Sequence, residues 1–247
     1  MIRNVVRTIV TDFLKEHPDR KLWTIPVVRY ASADDPYILQ LKEHIPGHLE
    51  PKDILENASS VISYFIPFAH KMCDKNAKGE KPTKEWAVAY NKTNNMAETL
   101  NEHIVDELNG MGLDAAFLKV RMNENIMSVW SQRHIAYAAG MGTFGMNNML
   151  ISQRGCCGRY FSVVTSAKIV PDKKVQQERC LQKNGTECMM CASKCLVSAL
   201  SSEGFDRVKC YEHVSRNEKW FSASVCGKCV CGLPCSFRDP SFSQGPQ

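Results

Sequence analysis

Nine of the twelve cysteines in this 247-residue chain fall between Cys180 and Cys235, a window of 56 residues. Two runs inside that window are dense: Cys188-Met-Met-Cys191-Ala-Ser-Lys-Cys195 and Cys226-Gly-Lys-Cys229-Val-Cys231-Gly-Leu-Pro-Cys235. A CxxC turn aims two thiolates at one metal centre, and a cysteine a few residues later faces away and reaches a neighbouring centre. No apolar run approaches the ~20 residues of a membrane helix. The opening Met1–Val10 lacks the apolar core and cleavage site of a signal peptide. A cytoplasmic location is therefore expected, where crowded cysteines mean metal or redox chemistry rather than a disulfide framework.

Ligand counting gives these cysteines a division of labour. Two 4Fe–4S clusters need eight thiolates, as in two-cluster ferredoxins. Cys180, Cys188, Cys191 and Cys235 are assigned to the first cluster, and Cys195, Cys210, Cys226 and Cys229 to the second. Cys231 is left over and can replace either Cys229 or Cys235 as a ligand. CxxC pairs also hold zinc, but the CxxC-x3-C step with its crossing ligand fits iron–sulfur better. Gly185 stands where a bacterial ferredoxin has its first cysteine, and Leu196 where it has proline. Cys73, in a lysine-rich stretch, is given no role. Cys156 and Cys157 are expected as small buried residues in a turn.

The rest of the chain alternates helical and strand patterns. Ile2, Val5, Val6, Ile9, Phe13 and Leu14 share one helical face before Pro18. Trp23–Val28 reads as a strand that Pro26 confines to an edge. Ser59–Pro67, Ala115–Val120 and Tyr160–Thr165 read as strands, the first and last too apolar for a surface. Cys73–Lys84 reads as an exposed loop, and a second amphipathic helix runs from Asn95 to a stop at Gly110 and Gly112. These patterns predict an α/β sheet domain with covering helices over residues 1–172, followed by a small two-cluster ferredoxin-like domain over 173–247. A net charge of +5 is mild and is explained by surface lysines.

The second informative stretch runs from Trp130 through a helical segment into Gly140, Gly142 and Gly145. A Gly-x-Gly-x-x-Gly string suggests a dinucleotide site, but that motif follows a strand and opens a helix, and here it follows a helix. Taken with the cysteines, the segment Ala138-Ala-Gly-Met-Gly-Thr-Phe-Gly-Met-Asn147, the following Leu150-Ile-Ser152, the earlier Pro51–Ser63 and Cys226–Cys235 resemble the epoxyqueuosine reductase family and, more distantly, the catalytic part of reductive dehalogenases.

That resemblance implies a nitroreductase-like α/β domain holding cobalamin, fed by two 4Fe–4S clusters. It implies an oxidoreductase in which the clusters bring cobalt to its Co(I) state. Gly140, Gly142, Thr143, Phe144, Gly145, Met146, Asn147, Leu150 and Ser152 would lie against the corrin, small residues leaving room for the macrocycle. The expected electron donor is a reduced ferredoxin or flavodoxin, and the substrate a small molecule or a corrinoid protein. Transfer RNA is the less expected substrate. The family's acidic donor has no match, Glu124 being the nearby carboxyl, and no helical-repeat extension follows Cys235. His134, Arg133 and Tyr137 are the candidate catalytic residues, His134 because histidine titrates near neutrality. The alternative is a non-catalytic iron–sulfur protein that reduces or handles a partner's corrinoid.

Overall fold

The computed structural model describes residues 1–119 and 122–243. Helices α1 (Ile2–Glu16), α2 (Pro36–His44), α3 (Pro51–Ile54), α4 (His70–Asn76) and α5 (Lys84–Gly110) precede α6 (Gln132–Ala138), α7 (Met190–Ser193) and α8 (Arg207–Phe221). The strands are β1 (Val27–Ser32), β2 (Ser60–Pro67), β3 (Ala115–Ala116), β4 (Gly142–Phe144), β5 (Leu150–Ser152), β6 (Gly158–Thr165), β7 (Leu200–Ser201) and β8 (Gly204–Phe205).

The main sheet has the order β1-β2-β6-β3, and every neighbouring pair is antiparallel. Its middle is the long ladder in which Ser60 faces Thr165 and Pro67 faces Gly158. All eight residues of β2 are buried, so the strand must be covered on both faces. Its side chains alternate accordingly. Ile62, Tyr64 and Ile66 pack with Val6, Val10 and Leu14 of α1 and with Leu100, Ile104 and Leu108 of α5. Val61 packs on the other face with Ile38 of α2 and Ile135 of α6, and Phe65 joins Ala136, Met141 and Leu150 there. The result is a helix–sheet–helix sandwich with α6 on the face that leads into the glycine segment.

Local departures from the sequence pattern have local causes. The edge strand does follow Pro26, but it covers Val27–Ser32 rather than Trp23–Val28. Helix α5 begins eleven residues before Asn95, because the Thr83 hydroxyl accepts from the Trp86 backbone N–H at 3.2 Å and caps it. Residues 73–84 are not a plain loop: Cys73 lies in α4 and is fully buried. The strand expected to end at Val120 is described only at Ala115–Ala116, and Val120 itself lies outside the described residues. Among the described residues no helix is long and apolar enough to cross a membrane.

The cysteine-rich half is not a loosely tethered module. Cys180, Ala223, Val225, Val230 and Cys231 belong to the same apolar cluster as α1, α5 and the sheet. The backbone N–H groups of Cys156 and Cys157 donate to the carbonyls of Cys235 and Ser236, at 2.9 and 3.0 Å. Arg179 is buried, donates to the carbonyls of Met141 and Ile151 at 3.0 Å each, and pairs with buried Asp239 at 2.7 Å. One cation thus ties the β4–β5 hairpin to the C-terminal segment.

Candidate cluster sites and the aromatic face

The two sets of four cysteines gather at two neighbouring places. Cys180, Cys188, Cys191 and Cys235 line one cavity, together with Leu181, Leu233 and the tip of the glycine segment, Gly145–Asn147. Burial pushes the Cys191 thiol up to about 11, with Cys235 and Cys180 adding to the shift. Cys195, Cys210, Cys226 and Cys229 come together beside it. The Cys229 thiol is pushed up by burial and then by Cys226, Cys210 and Cys195 around it. Cys210 is raised by burial and by Cys226 and Cys195, while Arg133 and Arg207 pull it down. A thiol crowded by other buried thiols holds its proton until a cation takes the proton's place, and an iron–sulfur cluster is such a cation source. The donor sets therefore fit two 4Fe–4S clusters.

The glycine segment lies against these cysteines. Asn147 Nδ2 donates to the carbonyl of Cys229 at 2.8 Å, and Asn147 also lines the cavity of the other set. One buried amide thereby touches both groups. Thr143 donates to Glu178 at 2.7 Å and accepts from the backbone N–H of Arg179 at 2.9 Å, the residue immediately before Cys180. Leu150 and Ser152 are buried in β5, where the Tyr160 hydroxyl donates to the Leu150 carbonyl at 2.7 Å and Ser152 donates to the Gly155 carbonyl at 2.9 Å.

The glycines themselves require a correction. A Cβ on Gly142 would stand 1.9 Å from the Ile151 carbonyl oxygen, and one on Gly140 would stand 2.3 Å from that of Lys173. Gly140 also has φ +73°, which favours glycine. What approaches these positions closely is the protein's own backbone, so room for a macrocycle does not explain them. The steric reason expected for glycine at Gly140 and Gly142 is therefore replaced by close packing against Lys173 and Ile151.

A different surface gathers two of the three candidate catalytic residues. His134 and Tyr137 on α6 meet Phe144 of β4, with ring centroids 4.9 and 5.8 Å away. Tyr37 of α2 completes the group, 4.8 Å from Tyr137 and 6.2 Å from His134. All four rings are half-buried and inclined to one another by 30–51°, an aromatic face partly open to solvent. Tyr37 was missed by sequence reasoning, since nothing local to it signals a site. Its hydroxyl is pushed up to about 12 by burial, with Tyr137 and Asp35 contributing.

His134 does not titrate near neutrality. Burial first, then the charges of Arg133, His48 and Arg207, lower it to about 4, and its Nδ1 lies 2.7 Å from the Ser131 hydroxyl. At pH 7 it is a neutral imidazole and cannot serve as a ready acid, which corrects the expectation. Arg133 donates to the Asn148 carbonyl at 2.6 Å and reaches towards Cys229, Arg159 and Arg207. It stands between the aromatic face and the second cysteine set. Glu124 is exposed.

An antiparallel sheet covered by helices on both faces, with cysteines gathered at one end, is also found in solved structures: the chain has the fold of the epoxyqueuosine reductases and reductive dehalogenases. The epoxyqueuosine reductase of Bacillus subtilis superposes with a TM-score of 0.54 at 16% identity, over 94% of this chain and 70% of that one. An epoxyqueuosine reductase solved with an epoxyqueuosine-modified tRNA-Tyr stem loop gives 0.55 at 16%, with the same coverage. A catabolic reductive dehalogenase in complex with 3-bromo-4-hydroxybenzoic acid gives 0.61 at 17%, over 88% of this chain but only 31% of that one. No family model matches the chain, and no curated protein matches it.

Proposed function

We propose that the protein is a two-cluster iron–sulfur reductase that works with a corrinoid, related in activity to the epoxyqueuosine reductases. The observation that carries this reading is the contiguity of the two four-cysteine groups with the aromatic face, through Asn147 and Arg133. Cys180, Cys188, Cys191 and Cys235 would hold one cluster, and Cys195, Cys210, Cys226 and Cys229 the other, in a ferredoxin-like arrangement within residues 173–243.

A corrinoid would lie against Tyr37, His134, Tyr137 and Phe144, with Met146, Gly145 and Asn147 separating it from the clusters. Such a cofactor supplies low-valent cobalt, a strong nucleophile. The chain's own residues bind, orient and manage charge. Arg133 and Arg207 offset the negative charge that ligated thiolates bring to the second site. Neutral His134 fixes the face by its bond to Ser131, and the Tyr137 hydroxyl is left as the proton donor. The electron donor is a reduced ferredoxin or flavodoxin of the cytoplasm, and the substrate a small molecule or corrinoid protein. Transfer RNA, the partner of one structural neighbour, comes after these.

Anaerobic iron reconstitution followed by cobalamin titration tests the reading. About eight irons per chain and a shifted corrin spectrum are expected. Eight irons with no corrin binding would overturn the reductase and leave an electron carrier. The depressed His134 favours one second reading, a corrinoid-reducing partner protein without its own substrate chemistry. Tyr137→Phe separates the two, abolishing turnover in an enzyme and leaving cobalt reduction intact in a carrier.

A further inference from the structure

Three cysteines outside both groups of four meet in the core. Cys73 comes from α4, Cys157 from the residue ahead of β6, and Cys231 from just past the turn at Lys228–Val230. None has any exposed surface, and their three Sγ atoms lie within 4.8 Å of one another. They come from three remote parts of the chain, so their convergence is a product of the fold rather than of a local motif.

Cys73 and Cys157 stand as a bonded sulfur pair, but their Cα atoms are 7.3 Å apart. Cysteines are ordinarily bridged at about 4.4–6.8 Å between Cα atoms. An ion held between the sulfurs, at about 2.3 Å from each, suits the wider spacing and engages Cys231 equally.

The surroundings bear on the charge of the sulfurs. Asn76, itself fully buried, directs Nδ2 at Cys231 Sγ from 3.6 Å. Lys228 is buried and donates to the carbonyls of Asn76 and Lys78 at 2.7 Å each. Burial holds the Cys231 thiol protonated, and the Asn76 N–H and nearby ammonium groups offset only part of that, so a metal ion rather than the surroundings must displace its proton.

We propose that Cys73, Cys157 and Cys231 form a third metal centre, a buried three-thiolate site for one thiophilic closed-shell ion such as Cu(I). Soft thiolate ligands select Cu(I) or zinc, and structural zinc takes four ligands where this group offers three. A dithiol reductant first cleaves the Cys73–Cys157 bond with two electrons and two protons to give three thiols. Binding then exchanges three thiol protons for one ion with no further change of oxidation state, and the Lys228 ammonium partly offsets the negative charge left behind. The site uses no residue of the two cluster sets.

The test is titration of the iron-reconstituted full chain with Cu(I) under anaerobic conditions, in competition with a coloured Cu(I) chelator. One equivalent should bind with the iron content unchanged, and X-ray absorption should report sulfur neighbours only. Cys73→Ser and Cys157→Ser should each weaken binding by about a hundredfold while retaining iron. Absence of tight binding, or binding undiminished in iron-replete variants, overturns the proposal. So does an anaerobically prepared wild-type protein in which mass spectrometry finds Cys73 and Cys157 joined and Cys231 free. The absorption measurement on wild type decides the matter even if the variants fail to fold. Eight irons with no copper would leave the reductase reading standing.

Discussion

The sheet half and the cysteine half of this molecule are stable for different reasons. The first rests on a long antiparallel ladder whose central strand is buried on both faces, with α1 and α5 filling one side and α2 and α6 the other. Residues 173–243 contain two-residue strands, a four-residue helix and α8, in which only Asn217 is buried. Their own apolar cluster has just Cys191, Leu200 and Leu233 at its buried centre. Burial can hold the sheet half. The other has little apolar core of its own, so it depends on its fastenings to the first half and, on the proposed reading, on metal ligation.

Iron removal should bring out that difference most strongly. Chelation under reducing conditions should release order in residues 180–235 while the β2–β6 ladder keeps its amide protection, because structural metal sites contribute on the order of 10 kcal/mol to small domains. Hydrogen exchange followed by mass spectrometry reads both halves at once. Simultaneous loss of both would break the comparison.

Next in size is the buried fastening between the halves. Asp239→Ala leaves the Arg179 guanidinium buried without its carboxylate. The expected cost is about 3–5 kcal/mol, seen as a lower denaturation midpoint and faster loss of iron from the site proposed at Cys180 and Cys235. An unchanged midpoint would mean that the halves are joined elsewhere.

Gly227 supplies a smaller, sharper probe of the joint. It has φ +72°, and a Cβ there would lie 2.4 Å from the Trp86 ring. Gly227→Ala should cost about 1–3 kcal/mol and disturb Cys226 and Cys229 more than Cys188 and Cys191. Differential iron loss between the two sites, read by electron paramagnetic resonance of the reduced protein, checks this.

The same contrast explains what could be read from the chain beforehand. Ser60–Pro67 and Gly158–Thr165 were legible because a doubly covered strand must be a continuous apolar run. The crowding of Cys188, Cys191, Cys226 and Cys229 could be anticipated because CxxC spacing is itself geometry, while their assignment to clusters remains a proposal. The β4–β5 hairpin was not, since its strands are three residues long and its glycines are dictated by Ile151 and Lys173, which only the fold brings near. The meeting of Cys73, Cys157 and Cys231 and the place of Tyr37 depend on long-range packing in the same way. His134 misled because its titration is set by burial and by Arg133 and Arg207 rather than by residue type.

That histidine provides the smallest of the expected effects, and one whose sign is fixed. In the unfolded chain it titrates near 6.5, and in the folded protein near 4. Above the unfolded value both states carry a neutral ring and no stability is at stake. As pH falls from 6.5 towards 4, the unfolded chain takes up a proton that the native protein refuses, so stability drops with falling pH and levels off below the folded value. Between pH 7 and pH 5 the His134 share is at most about 2 kcal/mol, less for the partial exposure of the ring. His134→Phe keeps an aromatic ring beside Tyr37 and Phe144 and should flatten this part of the profile. Acid damage to the clusters is common to both proteins and cancels in their difference. An equal slope in the variant would mean that folding leaves the ring's titration near its unfolded value, so that the native protein protonates it below about pH 6.5. The aromatic face would then carry a cation, and the case for Tyr137 as proton donor would pass back to His134.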